Sequence, residues 1–144
     1  MQIDETDHEL LSLLADNARA PVATLARRLG LARTTVQARL DRLEHSGVIA
    51  GYTLRLSESL RAPLRATALV SIEPRSAPAV LSRLKSLPSV RTVHTTSGRF
   101  DLIVGLEADT TEALDDTLDR IGETRGVKSS ESLIHLSTKL DRRE

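Results

Sequence analysis

The sequence of 144 residues predicts an α+β protein in two parts, a helical N-terminal domain followed by a domain of ferredoxin-like βαββαβ order. Two observations support this division. Apolar residues recur at the helical period as far as residue 46, whereas strand patterns and helical patterns alternate beyond residue 64. We therefore expect a three-helix domain over residues 1–50, a strand and linker over 51–64, and a sheet domain over 65–144.

The composition restricts the functional classes. Hydrophobic residues make up 40% and charged residues 28% of the chain, as is typical of a globular protein. Tyr52 and Phe100 are the only aromatic residues, which argues against a binder that stacks single-stranded bases on aromatic rings. The absence of cysteine excludes disulfides, thiolate metal sites and cysteine nucleophiles. The acidic N-terminus is unlike a signal peptide and no apolar run has membrane-spanning length, so we expect a cytoplasmic protein.

The first helix is expected over residues 5–17. Asp4 can cap it, and we interpret Asp4, Glu5 and Asp7 as helix-start charges, because acidic side chains stabilise the positive end of a helix. Its apolar face consists of Leu10, Leu11, Leu14 and Ala18.

The second and third helices are expected over residues 22–29 and 33–46, with a turn at Gly30 between them. The exposed side of the third helix carries Arg33, Thr34, Thr35, Gln37, Ala38, Arg39 and Arg42. Arginine pairs with phosphates or guanine edges, and glutamine and threonine reach base edges. A short helix, a glycine-containing turn and such a helix are typical of a helix-turn-helix DNA reader. An ordinary helical hairpin with a solvated basic face fits this stretch equally well.

The charge is unevenly distributed along a chain that is neutral overall, with 20 basic and 20 acidic residues. Residues 17–43 contain six arginines and one acid, Asp41, which gives this segment a charge of +5. A local basic patch on a neutral protein suits a DNA surface that is held by a few phosphate contacts.

The remaining elements are predicted from the periodicity of the apolar residues and from the residues that end helices and strands. Gly47 ends the third helix, and Tyr52, Leu54 and Leu56 alternate as a strand, which predicts a helix-turn-helix domain of the winged type. The sheet domain is expected to contain strands at 65–73, 90–96, 100–107 and 127–136, and helices at 77–87 and from Thr110 or Thr111. Helices on one side of this sheet leave its other face open, where Leu69 and Ile103 indicate burial against a second subunit.

The chain resembles the Lrp/AsnC family of bacterial and archaeal regulators over essentially its whole length. In the first half the shared phrases are Ile3-Asp4-x-x-Asp7, Leu25-Ala26-x-x-Leu29-Gly30-Leu31 and Arg39-x-x-x-Leu43-Glu44-x-x-Gly47-Val48-Ile49-x-Gly51-Tyr52. In the second half they are Gly98-x-x-Asp101 and Gly126-Val127. Each phrase is common by itself, but their joint order and spacing are specific.

The resemblance implies a transcriptional regulator that binds a palindromic operator in double-stranded DNA and responds to a small-molecule effector, usually an amino acid. It also implies a homodimer formed through the sheet domains that often assembles into tetramers or octamers. The implied effector site comprises Thr96, Ser97, Gly98, Arg99 and Asp101, facing Ser130 and Ser132. Asp101 suits an ammonium group and Arg99 a carboxylate. A tight hairpin with a solvated arginine is the alternative interpretation.

Three positions depart from the family's usual pattern. Family members often have serine at the position of Ala32 and proline at that of Arg33. Loss of a capping side chain costs about 0.5–2 kcal/mol, so either Thr34 supplies the cap or the first turn frays until DNA binds. Arg99 lies where an acidic or small polar residue is frequent, which argues against the usual neutral amino acid as effector.

Two other functions remain open for the same architecture. Some proteins that resemble these regulators decarboxylate sirohaem with the help of histidines, and His94 and His135 lie on strands that can be neighbours. No basic cluster for a tetrapyrrole with many carboxylates surrounds them. The other alternative is a ligand-sensing assembly protein that does not bind DNA. We expect no enzyme activity, cofactor or metal site, since no His-x-x-x-His or paired His/carboxylate spacing is present.

Overall fold

Three helices form the first unit of the chain in a computed structural model, which describes residues 2–142. They are α1 (Glu5–Asp16), α2 (Val22–Leu29) and α3 (Arg33–His45). A capping box begins α1: Asp4 Oδ1 accepts from the Asp7 amide at 2.8 Å, and Asp7 Oδ2 accepts from the Asp4 amide at 3.3 Å. Gly30 ends α2 with φ +67°, in the left-handed region that favours glycine.

The core of the first unit is apolar and draws on all three helices. It contains Leu10, Leu14, Leu25, Ala26, Val36, Leu40 and Leu43. Ala18, which was expected on the inner face of α1, lies beyond the end of that helix and is exposed. The three predicted helices are thus present, with their ends within one residue of the expected positions.

The strand expected after α3, through Tyr52, Leu54 and Leu56, is absent from the described chain. All three side chains are exposed. A strand is held by hydrogen bonds to a neighbouring strand, and within residues 2–142 no strand pairs with this segment. The described first unit is therefore helical and lacks the predicted wing.

The second compact unit extends from Leu56 to Asp141. Its elements are β1 (Leu64–Ile72), α4 (Ala77–Lys85), β2 (Val90–Thr95), β3 (Leu102–Ala108), α5 (Thr111–Glu123) and β4 (Val127–Ile134), with short 3₁₀ turns at Glu58–Leu60 and Pro74–Ser76. The strands form one antiparallel sheet in the order β2-β3-β1-β4, so β2 and β4 are its edges. This βαββαβ arrangement confirms the predicted fold class.

The helices cover one face of the sheet. Alternate residues of β1 and β3 are buried against α4 and α5, and this core includes Ala66, Ala68, Val70, Val80, Leu84, Leu102, Val104, Leu106, Leu114 and Ile121. On the opposite face, which we call the open face, the register aligns His94, Ile103, Leu69 and Glu131 in one row across the four strands. Leu69 and Ile103 are only partly buried there, as expected.

The hairpin between β2 and β3 differs from its prediction at one end. Phe100 belongs to the turn rather than to a strand, because β3 begins at Leu102. The Thr96 hydroxyl donates to the Phe100 carbonyl at 2.7 Å, which uses that carbonyl within the turn. Among residues 2–142, no helix has the length and apolar character needed to span a bilayer.

Candidate nucleic-acid interface and effector site

The orientation of α3 is set by the three residues that it buries, Val36, Leu40 and Leu43. The opposite side holds the seven residues that the sequence predicted as DNA contacts, and six of them are exposed: Arg33, Thr34, Thr35, Gln37, Ala38 and Arg42. The seventh, Arg39, is partly buried. A shallow depression in this surface is lined by Thr34, Thr35, Ala38, Arg39 and Arg42.

Two of the predicted DNA contacts, Arg39 and Arg42, are already held by the N-cap acid of α1 and by an acid in its first turn. Arg39 Nη1 donates to Asp4 Oδ2 at 2.8 Å and to Asp7 Oδ1 at 2.9 Å. Arg42 Nη2 donates to Asp7 Oδ2 at 2.7 Å. The Asp7 side chain is 0% exposed, whereas those of Arg39 and Arg42 are 24% and 48% exposed. The interpretation of Asp4 and Asp7 as helix-start charges was therefore incomplete, because both acids also anchor α3.

A signal for these ion pairs was present in the sequence. Two acids three residues apart on one predicted helix match two arginines three residues apart on another, and a spacing of three places each pair on one helix face. What the sequence leaves undetermined is which faces meet. The shared core of α1 and α3 brings Asp7 into contact with Arg39 and Arg42, which follow it in the sequence by 32 and 35 residues.

The ion pairs alter the electrostatics of the interface. The hydrogen bond from the Arg39 guanidinium, together with the Asp7 backbone amide, lowers the pKa of Asp4, and the two carboxylates raise the pKa of Arg39. Asp4 and Asp7 bring two negative charges to the basic segment, which reduces its net charge from +5 to +3. Four of the six arginines of residues 17–43 have no acidic partner among the described residues: Arg19, Arg27, Arg28 and Arg33.

The first turn of α3 has no side-chain cap. Ala32 occupies the N-cap position in extended conformation, and the cap that was considered from Thr34 is not formed. The free amides of this turn lie on the same exposed stretch as Arg33, Thr34 and Thr35. Uncapped helix N-termini attract anions such as phosphate, because their amides and the helix dipole both favour negative charge.

Five of the predicted effector residues form one turn, from Thr96 to Asp101, in which Gly98 has φ +113°. The Thr96 amide donates to the Asp101 carbonyl at 3.0 Å. Asp101 Oδ2 accepts from the Ile72 amide at 2.9 Å, so this carboxylate fastens the turn to the end of β1. The Arg99 side chain is available to a ligand, because it is 80% exposed, and it lies 4.9 Å above the Phe100 ring.

Ser130 and Ser132, expected to face this turn, lie on the other side of the sheet. The register aligns them with Val70 and Ala68, whose side chains point towards the helices. A Cβ on Gly122 of α5 would lie 3.7 Å from Ser130 Oγ, which agrees with this orientation. The residue between them, Glu131, occupies the open face instead, where its Oε2 lies 3.4 Å from Arg99 Nη2. The sequence interpretation did not include Glu131, the residue of β4 that contacts Arg99.

His94 and His135 are not neighbours. His94 is exposed on the edge strand β2, and His135 follows β4 at the other edge, so their positions are separated by three strand spacings, roughly 14 Å, across the sheet and by four residues along it. His135 Nε2 is hydrogen-bonded to Thr67 Oγ1 at 2.8 Å. The described residues also contain no group of three or more metal-ligating side chains. The histidine pair considered for sirohaem chemistry is therefore not assembled in this chain.

Comparisons with known proteins agree with both units. Residues 3–44 match the AsnC-type helix-turn-helix domain, and residues 65–144 match the Lrp/AsnC ligand binding domain. The HTH-type transcriptional regulator FL11 of Pyrococcus horikoshii is 31% identical over 137 residues, covering 94% of this chain and 91% of the relative.

Solved structures share the fold. AsnC of E. coli has a TM-score of 0.89 at 24% identity and covers 100% of this chain and 99% of its own. The transcriptional regulator NMB0573 of Neisseria meningitidis, solved as a complex with L-Met, has a TM-score of 0.86 at 25% identity, covering 97% of this chain and 94% of its own. With both of its domains matched, the chain belongs to the Lrp/AsnC family of DNA-binding transcriptional regulators.

Proposed function

We propose that this protein is an effector-responsive regulator that reads a palindromic operator with α3. The observation that carries the proposal is the two-sided nature of α3: one side is fixed in the core, and the other presents a polar basic surface to solvent. A helix that is held rigidly and exposes short polar side chains is suited to the major groove.

The proposed contacts divide by chemistry. Arg33 and the free amides of the first turn suit phosphates. Thr34, Thr35 and Gln37 suit base edges, and the Ala38 methyl group suits a thymine methyl. Gln37 Nε2 donates to Asp41 Oδ1 at 2.8 Å, so reading a base would require it to exchange this exposed hydrogen bond. We place Arg39 and Arg42 at the edge of the interface, with part of their charge balanced by Asp4 and Asp7.

The open face of the sheet is the proposed dimer interface. It carries the partly buried Leu69 and Ile103 together with Leu133, which is 51% exposed. Burying these side chains against a second copy would remove apolar surface from water. A two-fold dimer would present two α3 helices to half-sites spaced by one DNA turn, about 34 Å, or by a multiple of it.

The proposed effector is a small molecule, most simply an amino acid, bound at the turn of Thr96, Ser97, Gly98, Arg99 and Asp101. Support comes from the match to a ligand binding domain and from the relative solved with L-Met. Arg99 suits the carboxylate, and Glu131 in place of Ser130 and Ser132 suits the ammonium group. Effector binding between dimers would then alter assembly or operator affinity.

Two measurements test these assignments. Selection of duplexes from a random-sequence pool should enrich a palindrome, and the absence of any enriched duplex would contradict operator recognition. A thermal-shift screen against the common amino acids should identify the effector, since a ligand at 100 times its Kd adds about 2.7 kcal/mol of stability. A panel in which no amino acid raises the Tm would contradict the effector class.

A further inference from the structure

Asp7 is a buried carboxylate that the proposed DNA contacts leave unused. We propose that it is a positioning and specificity-determining residue for DNA recognition, acting through Arg39 and Arg42 without touching DNA itself. It holds α3 in place and limits the attraction of that helix for any duplex. The inference rests on the proposed DNA-binding function.

The geometry around Asp7 is that of a clamp between two helices. Each carboxylate oxygen receives one guanidinium: Oδ1 that of Arg39 at 2.9 Å and Oδ2 that of Arg42 at 2.7 Å. A fully buried carboxylate is tolerated only when it is paired and hydrogen-bonded, so these contacts are required wherever α1 packs on α3. Because the two arginines lie three residues apart, the clamp fixes α3 over nearly one full turn.

The same two arginines border the proposed reading surface. They line the depression beside Thr34, Thr35 and Ala38, so their guanidinium groups link the buried carboxylate to that surface. A guanidinium has five N–H donors, and the contact between Arg42 and Asp7 uses only Nη2. The Arg42 side chain is 48% exposed, which leaves part of it accessible to a phosphate.

The charge of Asp7 bears on selectivity. Attraction between basic side chains and phosphates is independent of sequence and dominates non-specific binding. A negative charge behind Arg39 and Arg42 weakens this attraction for every duplex, whereas base contacts from α3 depend on its position. Asp7 should therefore lower the affinity for any duplex through its charge, and raise the ratio of operator binding to non-specific binding by holding α3 in position.

Asp7→Asn in the full chain tests the proposal, because it keeps the size and one acceptor oxygen while removing the charge. Affinity is measured over a series of KCl concentrations for the selected palindrome and for a scrambled duplex of equal length. The slope of log K against log salt should steepen by about 0.9. Non-specific affinity at low salt should rise about two- to fivefold, with a lower ratio of palindrome to scrambled binding.

Two variants separate this role from a bulk charge effect. Glu9→Gln removes an exposed acid from the same helix and should leave the salt slope unchanged. Asp7→Glu keeps the charge and should therefore show the same salt slope as the wild type. Equal steepening in Glu9→Gln and Asp7→Asn, or no steepening in Asp7→Asn, would overturn the proposal.

A second pair of variants applies if circular dichroism shows that Asp7→Asn does not fold. Arg33 has no acidic partner within residues 2–142, so Arg33→Gln should reduce the salt slope by about 0.9. Arg42→Gln should reduce it by less than half as much, because Asp7 already balances its charge. Equal reductions would argue against the role of Asp7.

Retention on heparin provides a readout that requires no operator. Asp7→Asn should elute from heparin at higher salt than Glu9→Gln. If Asp7→Asn does not fold, Arg33→Gln should elute at lower salt than Arg42→Gln. Failure of the wild-type chain to bind any duplex would contradict the proposed function alone. Equal elution of Asp7→Asn and Glu9→Gln from heparin would contradict the role of Asp7 alone.

Discussion

The two units hold their charged side chains in different ways. In the helical unit, the fully buried Asp7 pairs with arginines from another helix. In the sheet unit, the pair of Arg99 and Glu131 joins side chains that are 80% and 55% exposed. Breaking a buried pair costs about 3–5 kcal/mol, whereas an exposed pair contributes about 0–1 kcal/mol. Ion pairs therefore reinforce the packing of α3 on α1 in the first unit but only adjust the surface of the second.

Among the variants that test this contrast, Asp7→Ala should change the stability most. It removes the only acidic partner of Arg42, one of the two acidic partners of Arg39 and half of the capping box, so we expect a loss of about 3 kcal/mol in the free energy of unfolding. Urea denaturation of the full chain measures it. Glu9→Ala, an exposed position on the same helix, should change the free energy by no more than about 0.5 kcal/mol. Similar losses in both variants would show that the clamp is weak.

Ala32→Ser should have an intermediate effect in the opposite direction. The serine hydroxyl would accept from a free amide of the first turn of α3, and the expected gain is about 1 kcal/mol. Ala15→Ser, at an exposed position inside α1, provides the control, because serine in a helix interior gives no such gain. Equal changes in thermal unfolding for the two variants would mean that this turn gains nothing from a cap.

Arg99→Ala should leave the sheet unit almost as stable as before, with a change below about 1 kcal/mol, because both partners of its ion pair are solvated. It should nevertheless abolish the Tm shift produced by the amino acid found in the screen. Arg91→Ala removes a similarly exposed pair with Glu107 and should keep that shift. Retention of the shift in Arg99→Ala would remove Arg99 from the proposed effector site.

The smallest expected effect is the loss of stability that acid causes by protonating Asp4. Because the Arg39 guanidinium lowers the pKa of Asp4 in the folded chain, the folded state binds its proton less readily than the unfolded state. The resulting stabilisation is complete above the ordinary pKa of 3.8 and is lost as the pH falls through the lowered value. Unfolding measured between neutral and acid pH should show a smaller acid loss in Asp4→Asn than in the wild type. Identical pH profiles would indicate that Asp4 makes no such contribution.

Local patterns predicted most of the fold, because helices and strands are specified by periodicity over a few residues. The buried sets of α3 and β3 follow directly from the spacing of their apolar residues. The missing strand at Tyr52 to Leu56 marks the limit of this reasoning. Alternation shows that a segment suits a strand, but pairing requires a partner strand that the described chain does not supply.

The candidate sites were less predictable than the fold because they depend on contacts between distant residues. Arg39 was predicted as exposed, and its burial follows from the packing of α3 on a carboxylate 32 residues earlier. Ser130 lies on the helix-covered face and Glu131 on the open face, the reverse of the expectation, because moving one residue along a strand changes the face of the side chain. Sequence periodicity gives the alternation of a strand but does not determine which set faces the helices.

The unpaired edges of the sheet also affect how the protein associates. An exposed edge strand offers free backbone groups to strands of other chains, which is one route to aggregation. In this sheet, β2 carries the exposed Arg91 and His94, and β4 carries the exposed Lys128 and Glu131. Polar and charged side chains on an edge oppose uncontrolled strand addition. The open face, with Leu69, Ile103 and Leu133, can therefore serve as the proposed dimer interface while the edges discourage growth into fibres.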